Sequence, residues 1–329
     1  MKTKYLLLSA ICVLSLSGCN INLQPKQIFE NLYGIVSGWF KKDFKVETDF
    51  TYNNPGCNIV DNLHNVHNKV AHIAVLYGQS NADGVSYDSY LKANDEAKFN
   101  EYASGYENVL INFFNDGGAN SSNYAFQKAS LGCGCATFTY GPEIGMAEIM
   151  SKTYPDEQSF IIKWTWGGTA LRNQWLDGNR NRGELYNYAM DYTLKCLNVI
   201  GSKGYTLSLE GICWMQGESD AWETDWNLYF KDTNAFVSYL RHDLQSVSES
   251  INFIDAGINE EEGVWPNPKV INKAKKKFAE LSDLNIYVDT PALGLTTKHE
   301  PAENPDIAHY DSISMVKLGQ AFGNAIVGK

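Results

Sequence analysis

The sequence is short of several things, and each shortage narrows what the chain can be. It has no internal repeat and no low-complexity tract, so it does not read as a repeat array. No apolar run approaches the roughly 20 residues that a membrane-spanning helix needs. The longest, Tyr5 to Leu16, is too short and follows Lys2 and Lys4 as in a signal peptide. Positive charge is in deficit, with 27 Lys and Arg against 38 Asp and Glu, and such a surface repels nucleic acid and acidic polymers in general. Cys133-Gly-Cys135 has no second cysteine pair at zinc-finger spacing, so neither a metal nor another cofactor is expected. A Gly-x-Ser-x-Gly elbow is missing as well, because the one Gly-x-Ser that follows a strand pattern, Gly78-Gln-Ser80, has Ala at position 82.

What is present describes a globular, exported chain. Hydrophobic residues make up 44% and charged residues 20% of 329, enough to bury a core in one large domain. The apolar run ends in Leu16-Ser-Gly-Cys19, which resembles the lipobox of bacterial lipoproteins. That resemblance implies a signal peptide over 1–18 and a lipid on Cys19 that tethers the protein to a membrane, periplasmic or at the cell surface. Losing two lysines leaves 25 basic against 38 acidic residues, a balance of −13 that favours a neutral substrate. Five cysteines remain, Cys57, Cys133, Cys135, Cys196 and Cys213. The number is odd, so at least one thiol stays free, and a bridge from the Cys133-Gly-Cys135 loop to Cys57 is one open possibility. Residues 19–69 read as a spacer with one short helix, whose apolar face is Ile28, Leu32, Ile35 and Trp39, and 70–329 as the catalytic domain.

From His72 onward short apolar runs alternate with helical patterns. Strands are expected over 72–77, 109–113, 159–164, 206–214, 251–256 and 285–289, and helices over 141–153, 183–200, 226–249, 267–281 and 311–327. The strands are continuously apolar, as in a parallel sheet covered on both faces, which predicts a doubly wound α/β sandwich. In such sheets ligands bind in the crevice at the carboxyl ends of the strands. The Gly-, Asn- and Ser-rich stretch 116–135 is the clearest long loop.

Four segments place chemistry at that edge. Ser80, in Tyr77-Gly-Gln79-Ser-Asn81, follows the first strand and is the candidate nucleophile; the alternative is a helix N-cap serine. A serine needs a histidine oriented by a carboxylate. Asp306-Ile-Ala-His309 supplies both at a spacing that lets the acid reach Nδ1, whereas His299 has only the adjacent Glu300. Trp166-Gly167-Gly168-Thr and Trp214-Met-Gln216-Gly-Glu218 follow two further strands, with backbone N–H groups and a side-chain amide to hold an oxyanion. Among the tryptophans, Trp175 and Trp222 follow motif loops and are the candidates to line a sugar site.

Together with Gly141-Pro-Glu143 and Lys163 through Leu171, these segments resemble, in order, the SGNH hydrolase superfamily. The similarity is to its sialate O-acetylesterase-like group, which includes the acetylxylan esterases of carbohydrate esterase family six. The resemblance implies a three-layer, flavodoxin-like α/β fold and removal of acetyl groups from a carbohydrate. It implies Ser80 as nucleophile, His309 as base, Asp306 as its orienting acid, and an oxyanion hole from the N–H groups of Ser80 and Gly168 and the Gln216 amide. The wider superfamily has asparagine where Gln216 stands. Gln79, Asn81, Gly167 and Glu218 support the site, Glu218 by holding the Gln216 loop or by sharing the acid's role. A lipase or thioesterase of the same superfamily, which needs an apolar acyl groove, and a non-catalytic glycan-binding lipoprotein remain as alternatives.

Overall fold

A computed structural model describes residues 57–328. The expected signal peptide 1–18, Cys19, the helix over 28–39 and most of the 19–69 spacer lie outside the described residues. All six expected strands form: β1 (Lys69–Gly78), β2 (Tyr106–Asn115), β3 (Gln158–Thr165), β4 (Tyr205–Met215), β5 (Phe253–Ala256) and β6 (Asn285–Val288). They lie in the order β2-β3-β1-β4-β5-β6, every neighbouring pair parallel. Two short antiparallel strands, Asn120–Ser121 and Gln127–Ala129, extend the β2 edge. From β1 the chain passes to β2 at one edge, returns to β3 beside β1, and then winds outward on the other side through β4, β5 and β6. The expected doubly wound α/β class is borne out, although β3, not β2, adjoins β1, unlike the simple flavodoxin-like order.

Five longer helices cover the sheet: α1 (Glu143–Thr153), α2 (Glu184–Ser202), α3 (Trp226–Asp243), α4 (Pro268–Ala279) and α5 (Ser312–Val327). Adjacent residues of β3 show the two faces, as strand alternation requires. Lys163 reaches Glu143 of α1, whereas Trp164 packs near Tyr188 of α2. On the α2 side a tryptophan–phenylalanine cluster joins Trp214 of β4 to Phe236 of α3, 4.6 Å between rings. On the other side α1 and α5 cross at glycine. A methyl group on Gly319 would stand 2.1 Å from the Pro142 carbonyl oxygen, so the two backbones meet where a side chain cannot fit.

Departures from the expected elements are local. The helix expected over 226–249 stops at Asp243, and 244–247 continue as turns. Short helices at Asp88–Asn94 and Glu96–Ser104 went unread; Asp95 caps the second by accepting from the Lys98 N–H at 3.0 Å. All five described cysteines are free thiols, so the bridge considered between Cys57 and the Cys133 loop is not made. Lys195 of α2 holds the Cys57 carbonyl, while Gln127 points its amide at the Cys133 sulfur. No helix among the described residues is long and apolar enough to cross a membrane.

Replacing Gly319 by Val should force α5 away from α1 and cost about 1–3 kcal/mol of stability, the usual penalty for overpacking. Urea denaturation of the purified variant measures it; an unchanged midpoint would contradict the close crossing.

Candidate active site

The crevice begins where β1 ends. Gly78 has φ +149°, and a Cβ there would stand 2.0 Å from the Met215 carbonyl oxygen, so the chain turns hard against β4 before Ser80. Ser80–Asp83 then makes one helical turn in which residues 81–83 are buried and Ser80 is half-buried. As the first residue of that turn, Ser80 has an N–H with no helical acceptor, available to a ligand.

The two neighbours of Ser80 clip it to two different loops. Gln79 accepts with Oε1 from the Ser219 N–H at 3.2 Å and from the Gln216 amide at 3.2 Å, which holds the loop after β4. Asn81 donates to Glu218 Oε1 at 2.8 Å and to the Ala308 carbonyl at 3.2 Å, and accepts from the Tyr310 N–H at 3.0 Å. Asn81 therefore grips the main chain on both sides of His309. The His309 ring is fixed in turn by Asp306, whose Oδ2 lies 2.6 Å from Nδ1 and whose Oδ1 accepts from the Ala308 N–H at 3.0 Å. With Nδ1 occupied, Nε2 is the nitrogen left for other chemistry.

His299 has an acid that its sequence neighbourhood did not reveal. Its Nδ1 lies 2.7 Å from Asp311 Oδ2, and Glu300 is engaged elsewhere, with the Tyr87 N–H and the Ser312 hydroxyl. But the ring stacks on Tyr90, and Asp311 is occupied in capping α5 through the Ser314 N–H. His72 sits near the amino end of β1 between Glu157 and Glu210, at the opposite edge of the sheet.

The two expected oxyanion loops behave differently. Gly168 is exposed with φ +68° and open space around its Cα, and its N–H has no partner among the described residues. Gly167 supports it by donating its N–H to Asp116 Oδ1 at 2.5 Å. The Gln216 amide, by contrast, is fully buried and already committed. Its Nε2 faces Asp220 Oδ2 at 2.7 Å, the Thr169 carbonyl at 3.0 Å and Gln79 Oε1 at 3.2 Å, and its Oε1 accepts from the Tyr229 hydroxyl at 2.8 Å. Two amide hydrogens serve three acceptors, so none is spare for an oxyanion. The side-chain donor expected at Gln216 is thus corrected to a knot that joins the loops after β1, β3 and β4.

Glu218 does not pair with Gln216. It receives Asn81, is fully buried, keeps one carboxyl oxygen without a donor, and has its pKa raised by that burial. The expectation for Trp175 is also corrected. It is 0% exposed, meets Trp164 and Trp214 edge to face, and donates to the Thr169 hydroxyl at 3.1 Å, so it braces the Gly168 loop from below and lines no sugar site. Trp222 is 75% exposed. Trp166, at the start of the glycine loop, lines with Tyr188 a cavity of about 490 Å³.

Two buried lysines set the spacing of these loops. Lys163, 0% exposed, pairs with Glu143 at 2.8 Å and donates to the carbonyls of Asp83 and Cys133, each at 2.7 Å. Lys275, also 0% exposed, pairs with Asp255 at 2.5 Å and donates to the carbonyls of Gln216 at 2.6 Å and Ala256 at 2.7 Å. Glu143, which also accepts from the Gly141 N–H at the start of α1, is structural. Lys275 was not legible beforehand, because a lysine among the lysines of α4 reads as a solvent-facing residue.

A sequence model of the family described as carbohydrate esterase, sialic acid-specific acetylesterase, matches residues 70–328. The chain belongs to this family. It is a carbohydrate esterase of the acetylesterase group, as the resemblance of its motifs implied. Among solved structures the esterase is similar to a protein from Arabidopsis thaliana, with 20% identity, a TM-score of 0.58, and 78% of this chain and 98% of that one covered. It is also similar to NanS, with 16% identity, a TM-score of 0.56, and 80% and 98% covered. At these identities the likeness establishes a shared fold. No curated protein matches the sequence closely enough to count as a relative.

Replacing Lys163 by Met strands Glu143 as an unpaired buried charge, for which a loss of about 3–5 kcal/mol is expected. Denaturant unfolding should show it, and replacing Glu143 by Gln in the same chain should recover part of the loss. A single variant as stable as the parent would mean that the ammonium does not hold this corner together.

Proposed function

We propose that the esterase removes acetyl groups from a neutral saccharide through an acetyl-serine intermediate on Ser80. The observation that carries this reading is the grip of Asn81 on residues 308 and 310, which holds His309 beside the turn that presents Ser80. His309 Nε2 takes the Ser80 proton as the hydroxyl oxygen bonds to the acetyl carbonyl carbon. The N–H groups of Ser80 and Gly168 receive the oxyanion, and preorganised donors of this kind are among the largest contributors to acyl transfer. The sugar alcohol leaves with the proton from His309. Water then attacks the acetyl-enzyme, giving its proton to His309, and acetate departs as Ser80 is restored. Asp306 keeps the imidazole in the tautomer that accepts at Nε2.

Charge and shape around the Gly168 loop favour a neutral sugar. The three arginines nearby in sequence are paired with carboxylates: Arg172 with Asp232 and Glu223, Arg180 with Asp232, and Arg182 with Asp243. A sialic acid carboxylate would have to compete with those partners for a guanidinium. The cleft that runs from Trp166 and Thr169 to Tyr188 carries Asp177 and Glu184 and one cation, Arg182, which is already paired with Asp243, a lining that suits hydroxyl groups better than an anion. Acetate release should therefore be faster from acetylated xylo-oligosaccharides than from O-acetylated sialic acid. Ser80→Ala should lower release from either by about three orders of magnitude or more. A variant that keeps its activity would remove Ser80 from the mechanism, and a preference for the sialic acid would overturn the neutral substrate.

We propose, too, that the esterase is an exported lipoprotein, tethered through Cys19. The support is the sequence Leu16-Ser-Gly-Cys19 behind a short apolar run. In a bacterial host that processes lipoproteins, Cys19→Ala should move the full chain from the membrane to the soluble exported fraction. Unchanged membrane fractionation would count against the anchor.

A further inference from the structure

The turn that presents Ser80 ends on a carboxylate that the acyl-transfer scheme does not use. Asp83 is 0% exposed; its Oδ1 receives the Thr165 hydroxyl at 2.5 Å, and its Oδ2 has no donor. Beside it stands Asp116, just beyond β2, which accepts from the Gly167 N–H. A methyl group placed on Gly167 would lie 3.0 Å from Asp116 Oδ1, 3.3 Å from Asp83 Oδ2 and 3.5 Å from Asp116 Oδ2. Both carboxyl groups therefore converge on the Cα that precedes Gly168.

The Asp83 carboxyl group also has at most one donor. Thr165 has a single hydroxyl hydrogen but faces two acceptors, Asp83 Oδ1 and, at 2.8 Å, Asn115 Oδ1. The Asn115 amide cannot help, since it donates to the carbonyls of Cys133 and Gly134. Lys163 offers its hydrogens to the Asp83 carbonyl, the Cys133 carbonyl and Glu143, not to the Asp83 carboxyl group. Two facing carboxylates this close do not both ionise at low cost.

We propose that Asp83 keeps its proton and shares it with Asp116, and that this acid pair is the device that positions the Gly167–Gly168 loop for catalysis. One negative charge then remains on the pair, and Asp116 can hold the Gly167 N–H that sets the direction of the next peptide. The proposal rests on Gly168 N–H as an oxyanion donor. Burial first, and the neighbouring Asp116 charge second, push the Asp83 carboxyl up to about 8, against the pull of Thr165 and Lys163. The other charged group acting on it is Lys163, which is itself paired with Glu143. The sign follows. Below about pH 8 the shared proton is in place; above it two anions repel, Asp116 withdraws, and the loop loses its support. Because the folded value lies above the unfolded one, the same proton makes stability fall as pH rises toward 8.

The test is kcat/KM against pH from 6 to 9.5, on a soluble acetyl ester, for the parent, Asp83→Asn, Asp116→Asn, Asp83→Ala and Ser80→Ala. The parent should drop to about a tenth of its plateau one pH unit above the midpoint. Either amide removes the second charge and supplies a permanent donor, so both should lose that alkaline fall. Asp83→Ala has no donor and should show kcat at least about tenfold below Asp83→Asn at pH 6.5, with KM little changed. A flat parent profile, an alkaline fall that persists in both amide variants, or equal kcat for the Ala and Asn variants would overturn the acid pair. If Asp83→Ala does not fold, the two amide profiles decide. An active Ser80→Ala would instead sink the serine mechanism, so the two failures are distinguishable.

Discussion

The ammonium of Lys163 is the contact on which the candidate site is built. A charge cannot be left bare inside a protein, so the three partners of this one are obligatory. They come from three places that the sequence keeps far apart: the end of the Ser80 turn, the loop at Cys133 and the first turn of α1. Apolar packing would have brought these segments together without fixing how far apart they lie. Three hydrogen bonds of ordinary length to one nitrogen do fix it. The cost is that any one partner lost leaves the rest buried and uncompensated.

Lys275 repeats the arrangement on the opposite face of the sheet, where it holds the loop that carries Gln216 and Glu218. Between these two posts lies a layer of neutral amides. Gln79 faces the β4 loop, Asn81 faces the loop of His309, and Gln216 ties the β3 and β4 loops to Asp220. The groups proposed to react make few of these bonds. Ser80 and Gly168 stand at the rim of the layer with N–H groups uncommitted, which is what a site that must receive an oxygen requires.

Much of this was legible in the sequence, for a physical reason in each case. β1, β3 and β4 are long apolar runs because both sheet faces are covered, and the polar residues that break them off mark the crevice edge. The Asp306-x-x-His309 spacing suited the hydrogen bond that forms. What escaped was partner choice. Nothing local says that a Gln amide will be consumed by a neighbour's carbonyl and an aspartate four residues on, or that Trp175 will turn inward while Trp166 lines the cleft. Asp83 drew no reading at all, since the acid it meets lies 33 positions away at Asp116. Side-chain burial is decided by the whole fold, and a residue's own neighbourhood carries little of that information.

The Asn81 grip has a consequence for how the molecule comes into being. Its bonds to the main chain around His309 span 227 and 229 residues, so they close one of the largest loops the fold contains. Closing such a loop is entropically costly and is repaid only when the intervening sheet is already in place. A partly folded chain with β1 to β3 assembled has its serine turn and its glycine loop but lacks the imidazole. The candidate site is in this sense a late property: it reports on the completed fold, and a half-made molecule holds its parts unassembled.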